Sequence, residues 1–185
     1  MHKKILIFAS FFVALAVPYL LFAQTTPTVT SFKVSGPFVA GASFMITLGN
    51  VPDMTKLTPM VTLEGKELTI TGGAKNTITG KLPEGVSKKG GGVKIRYQGV
   101  EIPYTLYVPF IDKVFLPKVE KGVEMIVSGG NMDEKGCNIS LPNSSLQATS
   151  CNQRMVFVTL GNKFSGGNMT VTFNGLTSAP FPVVY

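Results

Sequence analysis

Apolar and polar residues alternate along much of the chain after its first 23 positions. Residues 93–97, VKIRY, place three apolar side chains on one face of an extended segment and two cationic side chains on the other, and residues 169–173, MTVTF, alternate in the same way. Residues 43–48, SFMITL, form a third such segment, and residues 155–160, MVFVTL, are apolar on both faces, which is typical of a central strand. Because no long run of period 3.6 follows residue 23 and Gly and Pro are frequent, the pattern predicts an all-β protein.

The strand-like segments occur twice. Residues 41–50, GASFMITLGN, align with residues 122–131, GVEMIVSGGN, with matching glycines near both ends and the same closing Asn. Residues 92–100, GVKIRYQGV, align in the same way with residues 168–176, NMTVTFNGL. The chain is therefore interpreted as two copies of a unit of about 80 residues.

The two predicted copies follow each other without a spacer. Residues 106–108, LYV, continue through Pro109 directly into FIDKVF, with no Gly/Ser-rich or Pro-rich linker. We therefore expect a first domain at residues 24–108, a second at residues 109–185, and a stiff connection between them.

Residues 1–23 have the organisation of a secretory signal peptide. Lys3 and Lys4 precede a long apolar run that ends at the small residue Ala23, before the polar QTTPT. An uncleaved signal anchor is the alternative, and it is the one case in which we expect contact with a membrane. Both interpretations export the remainder, so we expect a secreted or cell-surface protein. Cleavage would remove 23 of 185 residues and lower the net charge from +7 to +5.

The composition weighs against catalysis. The single histidine, His2, lies in the predicted signal peptide, so the exported chain has no Ser-His-Asp or Cys-His system and no histidine metal ligand. A two-carboxylate hydrolase is the remaining alternative, since Asp and Glu alone can act as acid and base. However, Asp133 and Glu134 are the only adjacent acidic residues, and neighbours on an extended chain point to opposite faces. We therefore predict a protein that is not an enzyme and has no cofactor and no metal.

The only cysteines, Cys137 and Cys151, lie fourteen positions apart. Two thiols cannot supply the three or four ligands of a zinc site, and no redox CxxC is present. In an exported protein such a pair predicts a disulfide, and closing a loop of this size is worth roughly 3 kcal/mol.

The order of segments resembles the IPT/TIG domain, an immunoglobulin-like module named for plexins and transcription factors. The resemblance covers residues 26–185 and rests on the opening segments TPTVTSFKVSGP and FIDKVFLPKVEKG, on the GxxxxIxxGN-like strand, and on the glycine turns VKIRYQG and MTVTFNG. It implies two tandem immunoglobulin-like β-sandwiches and, in the second, a disulfide across the hairpin that carries Cys137 and Cys151. It also implies binding, because extracellular members commonly occur in adhesion and recognition receptors. The opening segments depart from the family by lacking a clean SPxxGP string.

A cluster of cationic residues in the first copy is the candidate binding patch. Lys88, Lys89, Lys94 and Arg96 could meet an acidic glycan or an acidic protein, and the alternative is a solvated sheet face. Aromatic residues are not interleaved with the cluster, so nucleic acid is not expected as a partner.

Three N-glycosylation sequons occur, and they would be used only in a eukaryotic source. They begin at Asn138, Asn143 and Asn168.

Two functions follow as hypotheses. The first is a non-catalytic recognition or adhesion protein that binds another protein at the cell surface or in the matrix. The second is a structural subunit of a coat, matrix or filament, which requires self-association.

Overall fold

The structure is a computed structural model, and it describes residues 25–132, 138–141, 144–161 and 166–184. The segment 1–23, with its predicted signal peptide, lies outside the described residues. Within the described ranges the regular structure is seventeen β-strands and one short 3-10 helix, so the prediction of an all-β protein is confirmed.

The first copy contains eight strands and the 3-10 helix between the second and third of them. Their bounds are β1 Thr28–Val34, β2 Ser43–Gly49, the 3-10 helix Met54–Lys56, β3 Met60–Leu63, β4 Lys66–Glu67, β5 Thr69–Ala74, β6 Thr77–Lys81, β7 Gly90–Tyr97 and β8 Val100–Tyr107.

The second copy contributes the remaining strands of the described part of the chain. Their bounds are β9 Phe110–Phe115, β10 Glu124–Gly130, β11 Asn138–Leu141, β12 Ser144–Gln147, β13 Ser150–Cys151, β14 Met155–Thr159, β15 Gly167–Phe173, β16 Leu176–Thr177 and β17 Phe181–Val183.

The strands form four antiparallel sheets, two from each copy. In the first copy the orders are β1-β2-β6-β5 and β4-β3-β7-β8. In the second copy they are β13-β14-β10-β9 and β12-β11-β15-β16, with β17 also pairing with β15. The strand predicted to be central, β14, lies between β13 and β10.

Each copy has its own hydrophobic cluster, built from the inward positions of the alternating strands. On β7 the side chains of Val93, Ile95 and Tyr97 are buried, whereas Lys94 and Arg96 are exposed, as the alternation predicts. The second cluster is formed by inward residues of β10, β11, β14 and β15. Burial of a Val, Ile or Leu side chain contributes about 1.5–3 kcal/mol, so these faces hold the sheets of each copy together.

The backbone repeats at the spacing found in the sequence. Strands β2 and β10 both end at a glycine followed by an Asn in the left-handed region, Asn50 with φ 57° and Asn131 with φ 56°. The turns after β7 and β15 also match, since Gln98 and Asn174 each have a positive φ and each precede a glycine with positive φ. Left-handed conformations favour Gly and Asn, which explains why these letters recur in both copies.

The two copies touch each other. Leu176 of the second copy packs in the hydrophobic cluster of the first, and the Phe38 amide donates to the Thr177 carbonyl at 2.9 Å. An isolated parallel bridge joins Pro37 and Thr177. These contacts connect the copies at a second place besides the covalent joint at Pro109.

Candidate functional site

An open groove lies where the first copy meets the second. Strand β8 ends at Tyr107, Val108 is fully buried, and β9 begins at Phe110, so the short joint places two aromatic residues close together. The groove has a volume of about 550 Å³. Its aromatic and polar lining side chains are Tyr107, Phe110, Phe173, Asn131, Gln153, Arg154 and Asn174.

Asn131 ties the joint to the second copy. Its side-chain amide donates to the Val108 carbonyl at 2.9 Å and to the Lys89 carbonyl at 3.0 Å. The Val108 amide also donates to the Lys89 carbonyl, at 3.2 Å. In the first copy the equivalent Asn50 makes one longer contact, 3.4 Å to the Thr26 carbonyl. The residue that closes the repeat motif therefore holds the segment entering each copy.

Phe110 packs closely on two glycines of β10. A Cβ atom on Gly130 would lie 2.6 Å from Cζ of the Phe110 ring, and one on Gly129 would overlap the Phe110 carbonyl oxygen. The pair Gly129–Gly130 thus leaves the space in which the ring lies. The Lys89 ammonium lies 4.3 Å from the centroid of the same ring, a cation–π contact that brings a positive charge to the edge of the groove.

The turn between β13 and β14 positions Arg154. The Asn152 side-chain oxygen accepts hydrogen bonds from the amides of Arg154 at 2.9 Å and Met155 at 2.8 Å, so the Asn stabilises the turn locally. The Gly129 amide donates to the Arg154 carbonyl at 2.8 Å, which links the turn to β10. Within the described part of the chain the Arg154 guanidinium forms no ion pair.

Tyr107 is the most exposed aromatic residue of the groove. Its side chain is 67% exposed, because it lies on the opposite face of β8 from the buried Leu106. Phe110 and Phe173 are half-buried, so each presents part of its ring to the groove. The groove therefore combines apolar ring surface with amide and guanidinium donors, which is the usual composition of a ligand site.

The structure separates the four cationic residues of the predicted patch into different settings. Lys94 and Arg96 both pair with Glu101 on β8, at 3.4 Å and 2.6 Å. Hydrogen bonding from Arg96, followed by that from Lys94, lowers the pKa of Glu101. The Lys89 ammonium instead lies over the ring of Phe110, which lines the groove, and Lys88 is exposed in the same turn. The cluster of the sequence is thus partly offset by a carboxylate, and its role in binding stays a prediction.

The predicted disulfide and glycosylation sites are described only in part. Cys151 is half-buried on β13 and is not a free thiol, but Cys137 lies outside the described residues, so their pairing stays a prediction. Asn138 and Asn168 are exposed on β11 and β15, and Asn143 lies outside the described residues. Asp133 and Glu134 also lie outside them.

The described residues contain neither a candidate metal cluster nor a candidate membrane-spanning helix. They contain no group of three or more His, Cys, Asp or Glu side chains that could hold a metal ion. They also contain no helix long and apolar enough to cross a membrane.

The sequence patterns did not predict the groove. Its lining residues come from positions between 107 and 174, and their proximity depends on how the copies pack. The local signal was the pair of aromatic residues on either side of Pro109. A polar NQR turn at residues 152–154 was a second signal.

Comparisons with known proteins give only distant similarities. No family model and no curated protein matches the chain. Among solved structures, the chain is similar to SGBP-B from a complex xyloglucan utilization locus in Bacteroides uniformis, with 17% identity, a TM-score of 0.38, and coverage of 84% of this chain and 49% of that one. It is also similar to a protein crystallised with xylogluco-oligosaccharide, with 13% identity, a TM-score of 0.35, and coverage of 85% and 41%. The chain spans at most about half the length of these two proteins.

Proposed function

We propose that the chain is an exported, non-catalytic recognition protein that binds a glycan in the groove between its two copies. The observation that carries this proposal is the convergence of exposed Tyr107 with Phe110 and Phe173 in an open groove that also has amide and guanidinium donors. Single exposed apolar residues are ordinary on protein surfaces, but three rings in one concavity are typical of a ligand site.

The chemistry of the lining suits a sugar chain. A sugar ring has an apolar C–H face, which packs on an aromatic ring, and a rim of hydroxyl groups, which need planar polar partners such as Asn, Gln and Arg. Gln153 and Asn174 are exposed beside Phe173 and supply such partners.

The size of the groove favours a glycan over the protein partner expected from the family resemblance. A volume of about 550 Å³ accommodates a few units of a polymer. A protein partner would instead have to cover about 1,600 Å² across both surfaces, most of it outside this groove.

The proposed architecture is a pair of IPT/TIG-like β-sandwiches at residues 24–108 and 109–185. Two antiparallel sheets and one hydrophobic cluster in each copy support it. The predicted signal peptide supports a position outside the cytosol, either secreted or at the cell surface.

Native affinity gel electrophoresis tests the proposal. The purified chain is run in gels that contain soluble polysaccharides, including xyloglucan, and a bound polysaccharide retards the protein. We expect Tyr107→Ala to weaken binding at least about fivefold, because stacking surface is lost. Phe115→Ala is the matched control, since Phe115 is 56% exposed but does not line the groove. Equal retardation of both variants and the wild type would place binding elsewhere, and no retardation by any polysaccharide would contradict glycan binding.

A further inference from the structure

The charged side chains that the described residues bring to the groove are cationic. No acidic residue is among its lining residues in the described part of the chain, whereas Arg154 lines it and the Lys89 ammonium lies over the ring of Phe110. The whole chain carries a net charge of +7, which falls to +5 if residues 1–23 are cleaved, so an anionic polymer is also attracted at longer range.

From this arrangement we infer that the groove binds an anionic glycan, one whose sugar units carry carboxylate or sulfate groups. This inference rests on the proposed function and deepens it. The rings of Tyr107 and Phe173 contact the sugar faces, and Arg154 binds the anionic substituent. Arg suits this role because its planar guanidinium presents paired N–H donors that match two oxygens of a carboxylate or sulfate.

The backbone of Arg154 is organised before any ligand binds. The Asn152 side chain holds the turn through two hydrogen bonds, and the Arg154 carbonyl accepts from Gly129 of the neighbouring strand. A donor on a fixed backbone loses less conformational entropy on binding than one on a loose loop. Arg96 contrasts with it, because its guanidinium already pairs with Glu101 at 2.6 Å.

Lys89 contributes a second positive charge through its side chain, whereas its contact with the joint is made by its backbone carbonyl. Its carbonyl accepts from Asn131, while its ammonium lies against Phe110. Replacing the side chain therefore removes the charge and leaves the hydrogen bonds of the joint in place.

Isothermal titration calorimetry on the purified chain tests the inference with three probes. These are an oligogalacturonate, which carries carboxylates, a κ-carrageenan oligosaccharide, which carries sulfates, and a neutral xyloglucan oligosaccharide. We expect at least one anionic probe to bind more tightly than the neutral one, and comparison of the two anionic probes identifies the preferred substituent. The affinity for the anionic probe should fall as the salt concentration rises, because exposed charges are screened.

The variants assign the effect to residues. Arg154→Gln should weaken binding of the anionic probe about 10-fold or more, as expected for a lost charge-assisted hydrogen bond. Arg154→Lys should restore part of the loss, and Lys89→Gln should give a smaller decrease. Arg96→Gln is the matched control and should leave the affinity unchanged, because that exposed Arg does not line the groove.

The outcomes separate this inference from the proposed function. If the neutral probe binds as well as the anionic probes and only Tyr107→Ala weakens it, the charge preference is wrong and the groove remains the binding site. If anionic probes bind but Arg96→Gln weakens them and Arg154→Gln does not, the anion site lies on the sheet of β7 instead. If no probe binds, the inference is wrong, and the proposed function fails as well only if no polysaccharide retards the protein in the affinity gels.

Discussion

Asn131 offers a direct test of how the two copies are joined. Asn131→Gly removes the two side-chain hydrogen bonds to Lys89 and Val108 while keeping a residue that accepts the φ of 56°. Each neutral hydrogen bond contributes about 0.5–1.5 kcal/mol to stability, so the pair should be worth about 1–3 kcal/mol. Asn131→Ala should cost about 1 kcal/mol more, because Ala is strained in the left-handed region.

Asn50 supplies the matched control within the same chain. Its φ is 57°, and its single contact of 3.4 Å to the Thr26 carbonyl is longer than an ordinary hydrogen bond. Asn50→Gly should therefore change stability little, whereas Asn50→Ala should show only the conformational cost of about 1 kcal/mol. The difference between the two glycine variants isolates the hydrogen bonds at the joint.

The assay is equilibrium urea unfolding followed by far-UV circular dichroism, since the chain contains no Trp for fluorescence. The free energy of unfolding of each variant is compared with that of the wild type under identical redox conditions. Differences in the free energy of unfolding below about 0.5 kcal/mol are not resolved between independent variants. If Asn131→Gly and Asn50→Gly agree within that limit, the hydrogen bonds from Asn131 to Lys89 and Val108 do not stabilise the joint.

Three further predictions concern the disulfide, the ion pair and the oligomeric state. If Cys137 and Cys151 are paired, reduction should raise the intact mass by about two daltons and lower the free energy of unfolding by roughly 3 kcal/mol, and native thiol alkylation without reductant would contradict the pairing. Because the pKa of Glu101 is lowered, its ion pairs stabilise the fold above the ordinary carboxyl pKa and lose their effect as the pH falls through the lowered pKa. In an NMR titration the midpoint of Glu101 should rise in the variant Arg96→Gln. An unchanged midpoint would refute the pairing. The register shift between Ile70 and Gly72 disturbs the edge strand β5 and so disfavours its pairing with a strand of another chain. We therefore expect light scattering after size exclusion to show a monomer. A mass that rises with protein concentration would favour the structural-subunit hypothesis.

The alternation of side chains predicted the strands well because it is local. Burial of Phe44, Ile46 and Leu48 on β2 follows directly from a period of two. On β14, which is apolar on both faces in the sequence, only Val156 and Val158 are buried, whereas Met155 is exposed. The internal repeat was equally informative, since it depends on left-handed Asn and Gly positions that the backbone requires in both copies.

The setting of the cationic cluster was harder to predict, because closeness along the chain does not show which residues face each other across paired strands. The turn at Gln98 and Gly99 is a two-residue hairpin, and that geometry places Glu101 opposite Arg96. The glycine turn at Gly99 indicates a hairpin, but only the register of a two-residue loop places Glu101 opposite Arg96, and Gln-Gly is not one of the usual signals for that loop. The groove could not be predicted in this way, because its residues come together only through packing between distant segments.

The groove exists because the repeat motif has different neighbours in its two copies. In the first copy, Asn50 contacts the segment that leads into its own β1. In the second copy, the side chain of the equivalent Asn131 donates to the carbonyl of Val108, the residue that follows β8. The same motif residue therefore makes a contact within the first copy and a contact between the two copies. Tyr107 is thereby held beside Arg154 and Phe173, which the second copy contributes. Neither copy alone contains all three side chains, and for this reason the proposed glycan site requires the tandem arrangement.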